Sequence, residues 1–131
     1  MTRTAVNVLG VVFVLIGIAG FIPALSPDDQ VFSLFQVDAL HNVVHLLSGI
    51  AALAAANAGY SAARMYAQVF GVVYAVITLY GFVIGEGELL GFLPVNQADN
   101  VLHLVLAVVL LYLGFSTPAE KPRRDRSDAA A

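Results

Sequence analysis

The three histidines of the chain lie in two polar stretches within otherwise apolar sequence. His41 and His45 belong to the first stretch, and His103 belongs to the second. Residues three or four apart share one face of a helix, so Asp38 and Asn42 fall on the same face as the first two histidines. Imidazole and carboxylate groups gathered in this way can bind a metal ion or a haem iron. The sequence therefore indicates a candidate ligand site on a helix face.

The second polar stretch repeats the first at matching positions. The matched pairs are Asn96 with Asp38, Asp99 with His41, Asn100 with Asn42, and His103 with His45. A further internal similarity relates residues 8–21 to residues 69–82, so the first and third apolar runs match as the second and fourth do. This pattern predicts two tandem helical hairpins with the same orientation in the membrane.

The composition is typical of a membrane protein. Of the 131 residues, 60% are apolar and only 11% are charged, whereas soluble domains have about 25% charged residues. Four apolar runs, at about 6–25, 39–56, 66–85 and 98–115, each approach the roughly 20 residues that span a bilayer core. We therefore predict an all-α, integral membrane four-helix bundle over residues 1–115, made of two tandem helical-hairpin repeats.

The basic residues are confined to the N-terminal segment, the connection between the second and third runs, and the C-terminal tail. They are Arg3, Arg64, Lys121, Arg123, Arg124 and Arg126. With four spans these regions lie on one side, and the positive-inside rule makes that side cytoplasmic for both termini. Residues 116–131 lack apolar periodicity, so we predict a disordered tail whose arginines contact anionic lipid head groups. The expected partners are the bilayer and these head groups, not nucleic acid, and assembly into a homo-oligomer stays open.

Haem b is the first cofactor candidate. If the helices pack in sequence order, His45 and His103 lie on diagonal helices, roughly 10 Å below the outer surface at 1.5 Å per residue. Two imidazoles facing each other at equal depth would suit bis-histidine ligation, with Asn42 and Asn100 as further cofactor-binding residues. Four glycines would let a flat macrocycle approach the backbone: Gly10, Gly20, Gly71 and Gly81.

A divalent metal ion is the second cofactor candidate. Its ligands would come from the second and fourth helices: Asp38, His41, His45, Asp99 and His103. Such a mixture of nitrogen and oxygen ligands suits zinc, manganese or iron. The chain contains no cysteine, which excludes disulfides, iron–sulfur clusters and thiolate zinc sites.

The same residues also have a structural interpretation. Asn42 and Asn100 could hydrogen-bond across the bundle axis, and Asp38 and Asn96 could cap the second and fourth helices. We find no nucleophile–base pair, phosphate-binding loop or nucleic-acid patch, so no catalytic residue is assigned. The leading hypothesis is a non-enzymatic membrane protein whose Asn/His cluster, near the outer mouth of the bundle, joins the helices or holds a ligand.

An apolar ligand such as a quinone, carotenoid or lipid is a further hypothesis. The aromatic residues that could line its pocket are Phe13, Phe21, Tyr74, Tyr80 and Phe82. The apolar connection at 31–37 is expected to lie in the membrane interface or to fold back over the mouth of the bundle.

The two polar motifs resemble those of a family of short bacterial membrane proteins. They read HNVVHL at 41–46, with Ser48-Gly49 following, and DNVLHL at 99–104. The family is catalogued as domain of unknown function 4383, and the resemblance covers roughly residues 4–115, with Ala107 where Gly49 stands in the first half. It implies a small four-span protein of the bacterial plasma membrane without an assigned activity.

Overall fold

The structure, a computed structural model, describes residues 1–116 and Pro118. Its helices are α1 (Thr2–Ala19), α2 (Ala39–Ala58), α3 (Tyr60–Ile84) and α4 (Gln97–Leu111), the last continued by a π-helical turn at Tyr112–Ser116. All four are long and apolar enough to cross a membrane, α4 together with its π-helical turn. The prediction of an all-α membrane four-helix bundle is confirmed. The predicted disordered tail, with its arginine cluster, lies outside the described residues.

The outward faces of the helices are apolar. Large aliphatic side chains that are more than half exposed occur on every helix: Leu15, Leu47, Val76, Leu79, Val83 and Val108. A surface of this kind is stable when lipid chains cover it, whereas water would disfavour so large an apolar area. The buried core is also mainly apolar and includes Val6, Phe13, Ala52, Tyr74 and Leu110.

Side-chain caps and one glycine determine where the helices begin. The Asp38 carboxylate accepts a 2.7 Å hydrogen bond from the backbone amide of His41 and so caps α2. Asn96 and Asp99 form a reciprocal capping box at the start of α4. A single residue, Gly59, connects α2 to α3. Its φ is 130°, which residues other than glycine rarely adopt.

Glycines bring the helices of each pair close together. A methyl group at Gly49 would lie 2.8 Å from the Gly10 carbonyl oxygen, and one at Gly71 would lie 2.9 Å from the Leu111 amide nitrogen. Thus α1 packs along α2, and α3 packs along α4, at distances that only a residue without a side chain permits. Between the two pairs, α3 contacts both α1 and α2.

Two short β-hairpins, which the sequence did not predict, cover one end of the bundle. The first pairs β1 (Gln30–Val31) with β2 (Phe35–Gln36), and the second pairs β3 (Gly87–Leu89) with β4 (Leu93–Val95). The last residue of β1 and that of β3 are buried, so each hairpin folds back over the helices. We call this end of the bundle the hairpin end. The polar stretches of α2 and α4 begin directly beneath it.

Candidate functional site

The three histidines meet inside the bundle near the hairpin end. The His41 and His45 rings stack one turn apart on α2, with centroids separated by 4.8 Å. His103 reaches them from α4, and its ring lies 6.3 Å from that of His41. One ring nitrogen from each residue lies within 4.8 Å of the other two, and all three side chains are at least 95% buried. We call this group the three-histidine cluster.

Each histidine keeps a nitrogen without a hydrogen-bond partner. Among residues 1–116 and 118, the buried Nδ1 atoms of His41, His45 and His103 have none. Leaving a buried polar atom unpaired costs about 1–3 kcal/mol, and a ligand that bonded to these nitrogens would remove that cost. A tetrahedral zinc ion would hold its nitrogens about 3.3 Å apart, so the rings would close by about 1.5 Å or less.

Aromatic side chains fix the positions of these rings. Phe13 lies 5.8 Å from the His45 ring, and Tyr74 lies 5.5 Å from the His103 ring, both as centroid distances. The Tyr74 hydroxyl lies close to the Ser48 side chain on α2. The cluster therefore has rigid walls on two sides, which favours a ligand the size of an ion.

The same packing argues against a haem between His45 and His103. His41 stands beside both rings, and Phe13 and Tyr74 stand behind them, so a macrocycle would have to displace buried aromatic groups. The glycines that were expected to admit it are covered by neighbouring helices. Gly10 faces Leu53, Gly20 faces Asn42, Gly71 faces Leu111, and Gly81 faces Asn100. Haem b stays a prediction that the packing does not favour.

The two carboxylates predicted as metal ligands have structural partners instead. Asp38 caps α2, as described above. Asp99, only 2% exposed, accepts hydrogen bonds through Oδ2 from the Gln36 amide at 3.0 Å and the Asn96 amide at 2.9 Å. Within the described chain, the group of converging metal-ligand atoms consists of the histidines alone. The five-residue ligand set stays a prediction, of which the structure brings the three histidines together.

The two asparagines lie in matching contacts within the helix pairs. Asn100 donates to the Gly81 carbonyl at 3.1 Å and to the Gly85 carbonyl at 2.9 Å, so it ties α4 to the end of α3. Asn42 packs in the same way on Gly20, where a methyl group would lie 1.9 Å from its amide oxygen. The amide oxygens of both asparagines have no partner among the described residues, so the expected bond across the bundle axis is not formed. Their role is to hold each pair together beside the three-histidine cluster.

The aromatic residues proposed for an apolar ligand do not form one pocket. Phe13 and Tyr74 are buried, whereas Phe21, Tyr80 and Phe82 are between 41% and 50% exposed on the outer surface. Tyr80 and Phe82 lie on the lipid-facing side of α3, and Phe21 lies in the turn that follows α1. The sequence pattern alone does not distinguish the lipid-facing side of a helix from the inner side. The hypothesis of an aromatic-lined pocket made of all five is therefore wrong.

Comparison with known proteins gives one match. A family model described as "Domain of unknown function (DUF4383)" matches residues 3–116, which include every residue of the site. No curated protein and no solved structure matches the chain.

Proposed function

Because the chain belongs to this family of unknown function, whose description assigns no activity, we propose a function from the site itself: a multi-pass membrane protein that binds one divalent transition-metal ion. The ligands are His41, His45 and His103. The observation that carries this proposal is the convergence of three buried imidazoles whose Nδ1 atoms lack hydrogen-bond partners among the described residues.

The donor set selects the class of metal. Three neutral imidazoles, without thiolate or carboxylate, suit zinc, copper and nickel better than magnesium, calcium or manganese, which prefer oxygen. Zinc accepts a tetrahedral arrangement without electronic cost, and three protein ligands leave its fourth position open. We therefore expect Zn²⁺ as the bound ion, with Co²⁺ as a spectroscopic substitute of the same geometry.

The test is a Co²⁺ titration of the full chain in detergent, purified without a polyhistidine tag and freed of metal by chelation. We expect visible absorption bands of tetrahedral cobalt that saturate at one ion per chain and disappear when Zn²⁺ is added. A chain that stays folded and gives no bands would overturn the proposal and leave the cluster as helix packing. A Soret band in protein isolated from membranes would overturn it in favour of haem.

We also propose that both termini face the cytoplasm of a bacterial cell, across its plasma membrane. Arg3 and Arg64 lie at the ends of α1 and α3 remote from the hairpin end, whereas Asp28, Asp29, Glu86 and Glu88 lie in the connections at the hairpin end. This asymmetry fits the positive-inside rule. The same orientation would let the arginine cluster of residues 121–126 contact anionic lipid head groups.

A reporter experiment tests this orientation. An alkaline phosphatase reporter, active only outside the cytoplasm, should be inactive when fused after Ala131 and active when inserted at Asp28. Insertion at Gly59, between α2 and α3, is the matched control on the cytoplasmic side. Activity at Ala131 together with silence at Asp28 would reverse the assignment and put the three-histidine cluster near the cytoplasm.

A further inference from the structure

A small cavity adjoins the three-histidine cluster. It has a volume of about 150 Å³ and lies between α2, α3, α4 and the second β-hairpin. All three histidines line it, and apart from Ser48 and Tyr74 the other lining residues are apolar: Val44, Phe70, Val73, Ile77, Leu89, Leu93 and Val95. An ion held by the histidines would therefore border an apolar space.

The cavity reaches the lipid-facing surface. Val44 on α2 and Val73 on α3 line it, and they are also 40% and 44% exposed on the outside of the bundle. Both lie within helices that are long and apolar enough to cross a membrane. The mouth of the cavity between α2 and α3 thus lies at a depth that the hydrocarbon region would cover.

Charge favours an anion over a neutral molecule as the fourth ligand of the ion. Three neutral imidazoles leave a divalent ion with both positive charges, and a buried uncompensated charge is costly. Asp38 and Asp99 already accept backbone hydrogen bonds at the ends of α2 and α4. An anion brought in from outside would compensate the ion, and the apolar walls favour one attached to an apolar body.

We propose that the cavity binds a small, membrane-soluble thiol or phenol whose ionised sulfur or oxygen completes the coordination of the metal. On binding, the S–H or O–H bond would break and the sulfur or oxygen would bond to the metal in place of a hydroxide, which would take up the proton and leave as water. A dry apolar cavity of about 150 Å³ can hold one benzene ring, which sets the size of the apolar body. This inference rests on the proposed metal site and names the class of its ligand.

The test compares two thiols on the Co²⁺-loaded full chain in one detergent. Benzenethiol is apolar, whereas 4-mercaptobenzenesulfonate, an arylthiol of similar acidity at sulfur, carries a permanent charge that apolar cavity walls would disfavour. We expect a sulfur-to-cobalt charge-transfer band to appear with both thiols. The benzenethiol concentration that gives half of the full band should be at least tenfold lower than that of the sulfonate. The variant Val73→Phe, which fills the mouth of the cavity, should raise the required benzenethiol concentration at least tenfold. The matched control is Val76→Phe, one turn further along α3 on its lipid-facing surface. This variant should leave the required benzenethiol concentration unchanged.

The outcomes separate this inference from the metal site itself. If Co²⁺ binds but both thiols act at equal concentrations, or if Val73→Phe has no effect, the cavity proposal is overturned and the metal site stands. Release of cobalt into the dialysate on addition of benzenethiol would also overturn it. If Co²⁺ does not bind to the folded chain, the proposed function fails and this inference fails with it.

Discussion

Replacing His41, His45 or His103 singly with Ala is expected to lower the Zn²⁺ affinity between about a hundredfold and a thousandfold. Zinc sites in small proteins bind with roughly 10–16 kcal/mol shared among their ligands, so one ligand contributes about 3–4 kcal/mol. A tenfold change in affinity corresponds to about 1.4 kcal/mol, which gives the stated range. Competition with a chromophoric zinc chelator, on metal-free protein in detergent, measures the three dissociation constants.

Asp38→Asn is the matched control for these variants. Asp38 lies one turn before His41, and its side chain caps α2. The amide of Asn can still accept the capping bond, so we expect less than a threefold change in Zn²⁺ affinity. If Asp38→Asn weakens binding as much as the histidine variants, a carboxylate belongs to the ligand set. If a histidine variant binds Zn²⁺ like the wild type, that residue serves packing only.

Asp99→Ala is expected to give the largest loss of stability among the polar residues of the site. The change removes the acceptor for the Gln36 and Asn96 amides and breaks the capping box of α4. A fully buried donor left unpaired costs about 1–3 kcal/mol, and these two donors are only partly buried, so we expect the free energy of unfolding to fall by about 2–4 kcal/mol. Titration with SDS, followed by circular dichroism of the helices, measures this difference.

Two further variants show which contact is responsible. Asp99→Asn keeps an oxygen acceptor and should lose less than half as much stability as Asp99→Ala. Asp38→Ala removes one capping bond at the start of α2 and should cost about 1 kcal/mol. The bond to Gln36 also links α4 to the first β-hairpin, so proteolysis within residues 30–36 should be faster in Asp99→Ala. Equal losses from Asp38→Ala and Asp99→Ala would show that the link to Gln36 adds nothing beyond capping.

The membrane bundle and the histidine face follow from local rules that a sequence displays. Apolar runs of about 20 residues are long enough to cross the bilayer as helices. The hydrocarbon core contains no water, so the backbone must satisfy its own hydrogen bonds, as it does in a helix. The spacing of His41 and His45 places both rings on one side of α2 whatever the neighbours are. The similarity of the two polar stretches then places His103 at the corresponding depth of α4. Together these features identify the three histidines from the sequence alone.

The role of the carboxylates could not be read from spacing. At the start of a helix, an acidic residue on the same face as the histidines is also well placed to cap the helix. Its carboxylate can accept hydrogen bonds from the free backbone amides of the first turn. Backbone amides at the starts of α2 and α4 donate hydrogen bonds to Asp38 and Asp99. The hydrogen bond from the Gln36 amide to Asp99 joins residues 63 positions apart in the sequence. Only the tertiary fold reveals such a contact.

The β-hairpins and the glycine contacts were missed for different reasons. Strands of two or three residues are too short to show an alternating pattern, so 30–36 and 87–95 look like ordinary connections. Gly20 and Gly81 were expected to let a macrocycle approach the backbone, because the sequence does not say which group a glycine faces. In the fold each receives an asparagine side chain from the adjacent helix.

Asn42 packs on Gly20 in the first half of the chain as Asn100 packs on Gly81 in the second half. The two helix pairs are therefore built in a similar way. Two identical halves related by a two-fold axis can offer ligands only in even numbers, two or four, never three. The odd number of histidines exists because one position differs: His41 joins the cluster, whereas its counterpart Asp99 fastens the first hairpin. In the proposed metal site, this difference at a single position would give the ion three protein ligands and leave its fourth coordination position open.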